Sequence, residues 1–196
     1  MRLVLAVLLL TLVACFPVRE EGSQPETPNT AETESPGSGW TAFDDYSRLM
    51  AMRPDGKVMM PVRGVQVRQV ADTFGAPRGG GRLHEGQDIF ARKGTPVYSA
   101  TEGIVTRMGY GQLGGIYVYV MGPGGRRYYY AHLDKYADGL EEGDLVTPQT
   151  RLGYVGNTGN ARTTPPHLHF GVYGNWWSSD ERVINPLPLM QDRQWR

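Results

Sequence analysis

The stretch IYVYVM-GPGG-RRYYYAHL spans residues 116–133. It sets two runs of β-branched and aromatic residues on either side of Gly122-Pro123-Gly124-Gly125, which predicts an antiparallel hairpin. Comparable short runs lie on both sides of it: Thr95–Ala100, Gly103–Met108, Thr150–Val155 and His167–Tyr173. Turn-forming residues separate them, and no useful length of helical periodicity occurs between 57 and 175. The predicted fold is therefore all-β and largely antiparallel. The 26 glycines and 14 prolines among 196 residues agree with short strands and many turns. A fainter echo links KGTPVYSATEGIVTRMG (93–109) to EGDLVTPQTRLGYVG (142–156) and hints at an internal duplication.

Upstream of this pattern the chain changes character twice. Trp40–Met52 places Trp40, Phe43, Tyr46 or Ser47 and Met50 at near-helical intervals, predicting a short amphipathic helix on the domain edge that ends before Pro54-Asp55-Gly56. Residues 16–39 hold Pro, Ser, Thr, Glu and Gly, and nothing strongly apolar after Val18. Such a segment cannot bury enough surface to offset chain entropy and is expected to be a disordered tether. It carries Arg19 against Glu20, Glu21, Glu26, Glu32 and Glu34, a net −4, which with Arg2 leaves +3 on residues 40–196. The chain as a whole is neutral, with 20 basic and 20 acidic residues. That balance argues against a nucleic-acid binder that works by bulk charge.

The first fourteen residues, MRLVLAVLLLTLVA, follow one cation with an apolar run. The run is too short to span a bilayer as a helix and reads as the core of a signal peptide. Leu12-Val13-Ala14-Cys15 resembles the lipobox of bacterial lipoproteins, in which the cysteine becomes the lipidated first residue. Cys15 is also the single cysteine, so no disulfide can form within the chain. Phe16 follows it where aspartate would imply inner-membrane retention. The expectation is a protein of the cell envelope, anchored at the periplasmic face of the outer membrane.

All four histidines lie in three motifs: His84-Glu85-Gly86-Gln87-Asp88, Tyr130-Ala131-His132-Leu133 and Pro165-Pro166-His167-Leu168-His169-Phe170. A catalytic zinc takes three protein ligands from His, Asp or Glu and keeps a fourth position for water. On a strand, residues i and i+2 share a face, so His167 and His169 face one site. By the same alternation Tyr128, Tyr130 and His132 are expected to share a face, which would converge two strands on one cleft. The helical zinc motif H-E-x-x-H does not apply: position 88 is Asp, and Gly79-Gly80-Gly81 and Gly86 oppose a helix.

These motifs, together with Met60-Pro61-Val62, Thr73-Phe74-Gly75, Gly94-Thr95-Pro96-Val97 and Gly156-Asn157-Thr158-Gly159-Asn160-Ala161, resemble the lysostaphin-type or LytM-like zinc metallopeptidases. The resemblance covers about residues 58–190 and implies a sandwich-barrel of the duplicated-hybrid-motif type. It implies one zinc held by His84, Asp88 and His169, with His132 and His167 acting on the water and the transition state. The implied substrate is the peptide part of peptidoglycan, with the D-Ala–meso-diaminopimelate cross-link as the expected bond. The alternative is a non-catalytic relative that activates a murein amidase, and murein hydrolases or adaptor proteins are the candidate protein partners. Tyr128 and Tyr130 could donate a hydroxyl or line the groove, or could equally pack on their neighbours. Asn157 is a further candidate for substrate contact, on a loop, Gly156–Pro166, expected to shape the groove. Trp176 and Trp177 could line the groove or fill the core. The expected organisation is a signal peptide at 1–14, lipidated Cys15 and linker to 39, helix and connector at 40–56, the peptidase domain at 57–190 and a tail at 191–196.

Overall fold

The structure is a computed structural model that describes residues 42–175 and 182–194. Cys15, the 16–39 segment, Trp40, Trp176 and Trp177 lie outside the described residues. A short helix, α1 (Ala42–Ala51), comes first. It buries Leu49 completely against Ile104 and Met121, with Tyr46, Met50 and Met52 packed around them. Burying one such aliphatic side chain contributes about 1.5–3 kcal/mol, enough to dock a helix too short to be stable alone.

Eleven strands follow among the described residues: β1 (Val58–Met59), β2 (Gln87–Phe90), β3 (Pro96–Tyr98), β4 (Gly103–Gly111), β5 (Gly115–Met121), β6 (Arg126–Tyr136), β7 (Leu145–Val146), β8 (Arg151–Val155), β9 (His167–Asn175), β10 (Val183–Ile184) and β11 (Met190–Gln191). Nine of them form one sheet, β10-β9-β6-β5-β4-β7, with β2 beside β9 and β3 and β8 attached through β6. It curls into a half-barrel in which every pairing is antiparallel. Strands β1 and β11 pair in parallel as a separate ribbon.

The six predicted runs all appear as strands, and the GPGG segment is the β5–β6 turn. The two segments of the sequence echo become β3–β4 and β7–β8. They pair crosswise, β3 with β8 and β4 with β7, as two copies of one unit related by an approximate two-fold would. The core beneath the sheet combines Val58, Met60, Val62, Ile89, Val97, Val118, Val120, Tyr128, Tyr130, Leu133, Leu152, Val155, Leu168, Phe170 and Val172.

Strand β6 departs from simple alternation between Tyr130 and Leu133. The β5–β6 register runs Val118↔Tyr130 and then Ile116↔Leu133, so Ala131 and His132 together face the single residue Tyr117. This β-bulge puts His132 at φ 61°, the one non-glycine among the described residues with positive φ. The His132 N–H donates to the Gly114 carbonyl at 2.7 Å. Thr158 clamps the same corner: its hydroxyl donates to the Leu133 carbonyl at 2.8 Å and accepts from the Ile116 N–H at 2.9 Å.

The bulge reverses the parity expected for β6. Tyr130 stands opposite Phe170 and Ala131 opposite His169, so Tyr128 and Tyr130 point into the core and are fully buried. Because the extra residue rotates the backbone by half a pleat, His132 joins the face of Tyr129 and Ala131 instead. If the bulge holds His132 in a left-handed conformation, His132→Gly should be more stable than His132→Ala by about 1 kcal/mol. Paired thermal melts of the two variants check this, and equal stability would contradict the strained backbone.

Candidate metal centre

Strand β9 lies between β2 and β6, and its register sets Asp88 opposite His169 and His169 opposite Ala131. His84 comes from the turn before β2. Its backbone is pinned by N–H to the Ala76 carbonyl at 2.9 Å and by the Gly75 N–H to its own carbonyl at 2.8 Å. Three donors meet as a result. His84 Nε2 is 2.9 Å from His169 Nδ1. Asp88 Oδ1 is 3.0 Å from His84 Nε2 and 3.2 Å from His169 Nδ1.

The spacing can be tested against a metal. Tetrahedral ligands at 2.0–2.1 Å from zinc sit ~3.3 Å apart, within a few tenths of an ångström of all three separations. The donor chemistry, two imidazoles and one carboxylate, also suits zinc. His84, Asp88 and His169 therefore fit the ion, as a group of potential ligands in mutual reach.

Hydrogen bonds fix the tautomers. His84 Nδ1 lies 2.7 Å from the Thr73 carbonyl, an acceptor only, so Nδ1 carries the proton and Nε2 keeps its lone pair for a metal. His132 Nδ1 faces the Thr158 carbonyl at 2.9 Å and His167 Nδ1 the Pro165 carbonyl at 2.8 Å. In both, Nε2 is left free to accept a proton. The two rings meet edge to face with centroids 5.0 Å apart, and His167 Nε2 is 3.7 Å from Asp88 Oδ1.

Burial opposes charge on the Asp88 carboxylate, but hydrogen bonds and charge from His169 and His84 outweigh it and hold the group well below the usual carboxylate range. Burial and the neighbouring His167 and His169 push His132 down to about 4, so it is neutral at pH 7. Burial likewise lowers His169, against the pull of Asp88.

These groups line a cleft of about 620 Å³, within the range of small-molecule and peptide sites. Leu83, Phe90 and Leu113 stand exposed on its rim. Asn160, Ala161, Thr164 and Pro165 contribute from the loop expected to shape the groove. The tyrosines of the wall are Tyr119, Tyr129 and Tyr173. Tyr119 stacks on Tyr129 with centroids 4.4 Å apart, and Tyr129 presents its edge to His169 at 5.9 Å.

The structure thus brings together His84, Asp88, His132, His167 and His169, and excludes Tyr128 and Tyr130 from the cleft. Tyr128 donates to Asp55 at 2.9 Å, and the Tyr130 oxygen accepts from the Ala100 N–H at 2.9 Å, both beneath the sheet. The alternation argument assigned the wrong tyrosines because it counted through the bulge. Asn157 bonds the Arg162 carbonyl at 3.5 Å and does not line the cleft.

Several supporting residues carried no evident signal. Gln87 is wholly buried; its Oε1 accepts from the Thr73 N–H and hydroxyl, and its Nε2 donates to Asp72 and Asn185. That network positions the carbonyl that orients His84. Gly86 was legible only as a helix breaker, yet a Cβ there would lie 2.6 Å from the Phe170 carbonyl and 2.8 Å from His169 Cε1 and Nε2. The spacing of His84 and Asp88 works because Gly86, midway between them, has no side chain to push His169 aside.

A His–Asp–His donor set flanked by two further imidazoles, at the floor of an open cleft, is the arrangement of a metal-dependent hydrolase. The comparisons with known proteins narrow the class. Residues 82–186 match the description "Peptidase family M23", and the chain belongs to that family. It is similar to an L-Ala–D-Glu endopeptidase of Bacillus subtilis, 40% identical over 108 residues, covering 52% of this chain and 33% of the relative. It is also similar to the peptidoglycan DD-endopeptidase ShyC of Vibrio cholerae, 32% identical over 163 residues, covering 79% and 36%. The chain thus spans about a third of the length of these relatives. Among solved structures it resembles a zinc-containing peptidase from Vibrio cholerae, with TM-score 0.50 and 31% identity over 62% of this chain and 37% of that one.

Two outcomes follow from the geometry. Gly86→Ala should displace His169 and weaken zinc binding at least tenfold, as measured by chelator competition; unchanged affinity would show that the close approach is not needed. In the metal-free protein, His132 titrates below its ordinary value of 6.5. The folded state therefore binds fewer protons than the unfolded chain between pH 6.5 and about 4. Stability from this source is fully present above pH 6.5 and is lost as the pH falls toward 4, which melts in the presence of a chelator should show.

Proposed function

We propose that this protein is a zinc-dependent peptidoglycan endopeptidase that binds one ion per chain and hydrolyses peptide cross-links of the bacterial cell wall. The observation that carries the proposal is the meeting of His84 Nε2, Asp88 Oδ1 and His169 Nδ1 within 3.2 Å of one another, beside two imidazoles whose Nε2 atoms are unencumbered. Family membership and the relatives named for peptidoglycan endopeptidase activity support the substrate class. The D-Ala–meso-diaminopimelate cross-link is the proposed bond.

Zinc held by these ligands would supply a Lewis acid and an activated water. The chain's own residues supply the rest. His132 and His167, oriented by carbonyls at Nδ1 with Nε2 turned to the cleft, take the proton of the attacking water and return one to the leaving amine. Protonated in turn, either can stabilise the oxyanion. The exposed apolar rim of Leu83, Phe90 and Leu113 and the wall of Tyr119, Tyr129 and Tyr173 hold a peptide across the donors. A regulator without turnover would have no use for two oriented imidazoles beside a complete donor set, which favours the enzyme reading.

In the cell the proposed site of action is the envelope, with the protein anchored through a lipidated Cys15 at the periplasmic face of the outer membrane. Cys15→Ser should release the protein from membranes or block its processing, and the wild type should take up palmitate label; absence of label would refute the anchor.

Digestion of purified sacculi, with mass spectrometry of the released muropeptides, tests the activity and identifies the bond. His169→Ala should lose zinc, stability and activity together. His167→Ala should retain stoichiometric zinc and fold normally, yet lose a factor of roughly 10²–10⁴ in rate. The assignment fails if both variants keep zinc and activity, and the roles exchange if His167→Ala alone loses the metal.

A further inference from the structure

Arg78 stands in the cleft ten positions before Asp88, and the peptidase reading gives it no role. The loop is a narrow excursion closed by a bridge between Pro77 and Leu83 and by the Arg78 N–H to the Arg82 carbonyl at 2.8 Å, with Gly79–Gly81 at its tip. The same excursion ends at His84, so one short piece of backbone places both residues. The guanidinium Nη2 of Arg78 donates to Asp88 Oδ2 at 2.6 Å.

That contact divides the carboxylate. Oδ1 faces the two ligand imidazoles at 3.0 and 3.2 Å, while Oδ2 is taken by Arg78. An aspartate without such a partner can turn both oxygens to a metal and fill the position that a water needs. A short bond between two ionised groups resists that rotation, because it is about twice as strong as a neutral hydrogen bond. We propose that Arg78 is a positioning residue that holds Asp88 as a one-oxygen ligand and so keeps the fourth coordination position of the metal open. The inference rests on the zinc reading above. Arg78 acts through Asp88, and a substrate contact is not required for it.

Cobalt(II) reports coordination number directly, since its visible band is strong in four-coordinate sites and weak when a fifth or sixth ligand is added. The full chain, purified metal-free, is loaded with cobalt(II) and, in parallel, titrated with zinc against a chelator. Wild type should give the strong band. Arg78→Met, which keeps the aliphatic stem without the charge, should give a weakened band and a zinc affinity lowered about 10–100-fold. Arg78→Lys, which keeps a charged donor, should recover part of both. Metal-free melting temperatures of all three should agree, since Arg78 is a surface-loop residue with its side chain 38% exposed.

A wild-type band and wild-type affinity in Arg78→Met would overturn the positioning role while leaving the metal centre intact. A lysine variant no better than the methionine variant, at matched melting temperatures, would overturn the part given to the charged bond. A wild-type protein that binds neither ion would overturn the zinc reading, and this inference with it.

Discussion

The register of β9 against its two neighbours is the constraint on which the site depends. Antiparallel pairing sets Asp88, His169 and Ala131 in one row across β2, β9 and β6, and a slip of one residue in either pairing would turn Asp88 or His169 into the core. The core guards against that slip. Ile89, Leu168, Phe170 and Tyr130 are fully buried on the opposite face, so the hydrophobic pattern that stabilises the sheet is the same one that aligns the ligands. Stability and site geometry are thus set by a single alternation.

Alternation alone would leave the cleft with only part of its chemistry. His132 reaches the site because β6 carries an extra residue, held in a left-handed conformation by the Gly114 carbonyl and by Thr158. A non-glycine residue in that region costs on the order of 1–3 kcal/mol, and such strain gathers at functional sites. Here it places an imidazole next to His167 without adding a fourth protein ligand to the row. Thr158 also supplies the carbonyl that fixes the His132 tautomer, so the clamp on the backbone and the control of the proton come from one residue.

Five titratable side chains crowded at a cleft floor would be unfavourable if all were charged. The arrangement resolves this with few charges. Asp88 is kept ionised by the imidazoles around it, and His132 and His169 are kept neutral chiefly by burial. Carbonyl acceptors at Thr73, Thr158 and Pro165 leave one open nitrogen on each of three rings. The network of the buried Gln87 with Asp72, Thr73 and Asn185 extends this control one layer outward, with its hydrogen bonds directed at the segment that holds His84 in place.

Much of this was legible in the sequence. The β-rich runs, the GPGG turn, the short helix and the gathering of every histidine into three motifs are local patterns, and local patterns follow from side-chain period and turn chemistry. The crosswise pairing of β3–β4 with β7–β8 was foreshadowed by the echo between residues 93–109 and 142–156. What the sequence could not show was the parity of β6 beyond Tyr130, because a bulge is created by the competing registers of two pairings and leaves no local mark. That is why Tyr119, Tyr129 and Tyr173, rather than Tyr128 and Tyr130, form the wall. The roles of Arg78, Thr73, Gln87 and Gly86 were not legible for a related reason: each matters through a contact with an atom that only the folded sheet brings near. The sequence by itself determined that the four histidines and Asp88 gather in three short motifs. The tertiary structure decided which atoms of those residues face one another, since that depends on register, and register is a property of paired strands.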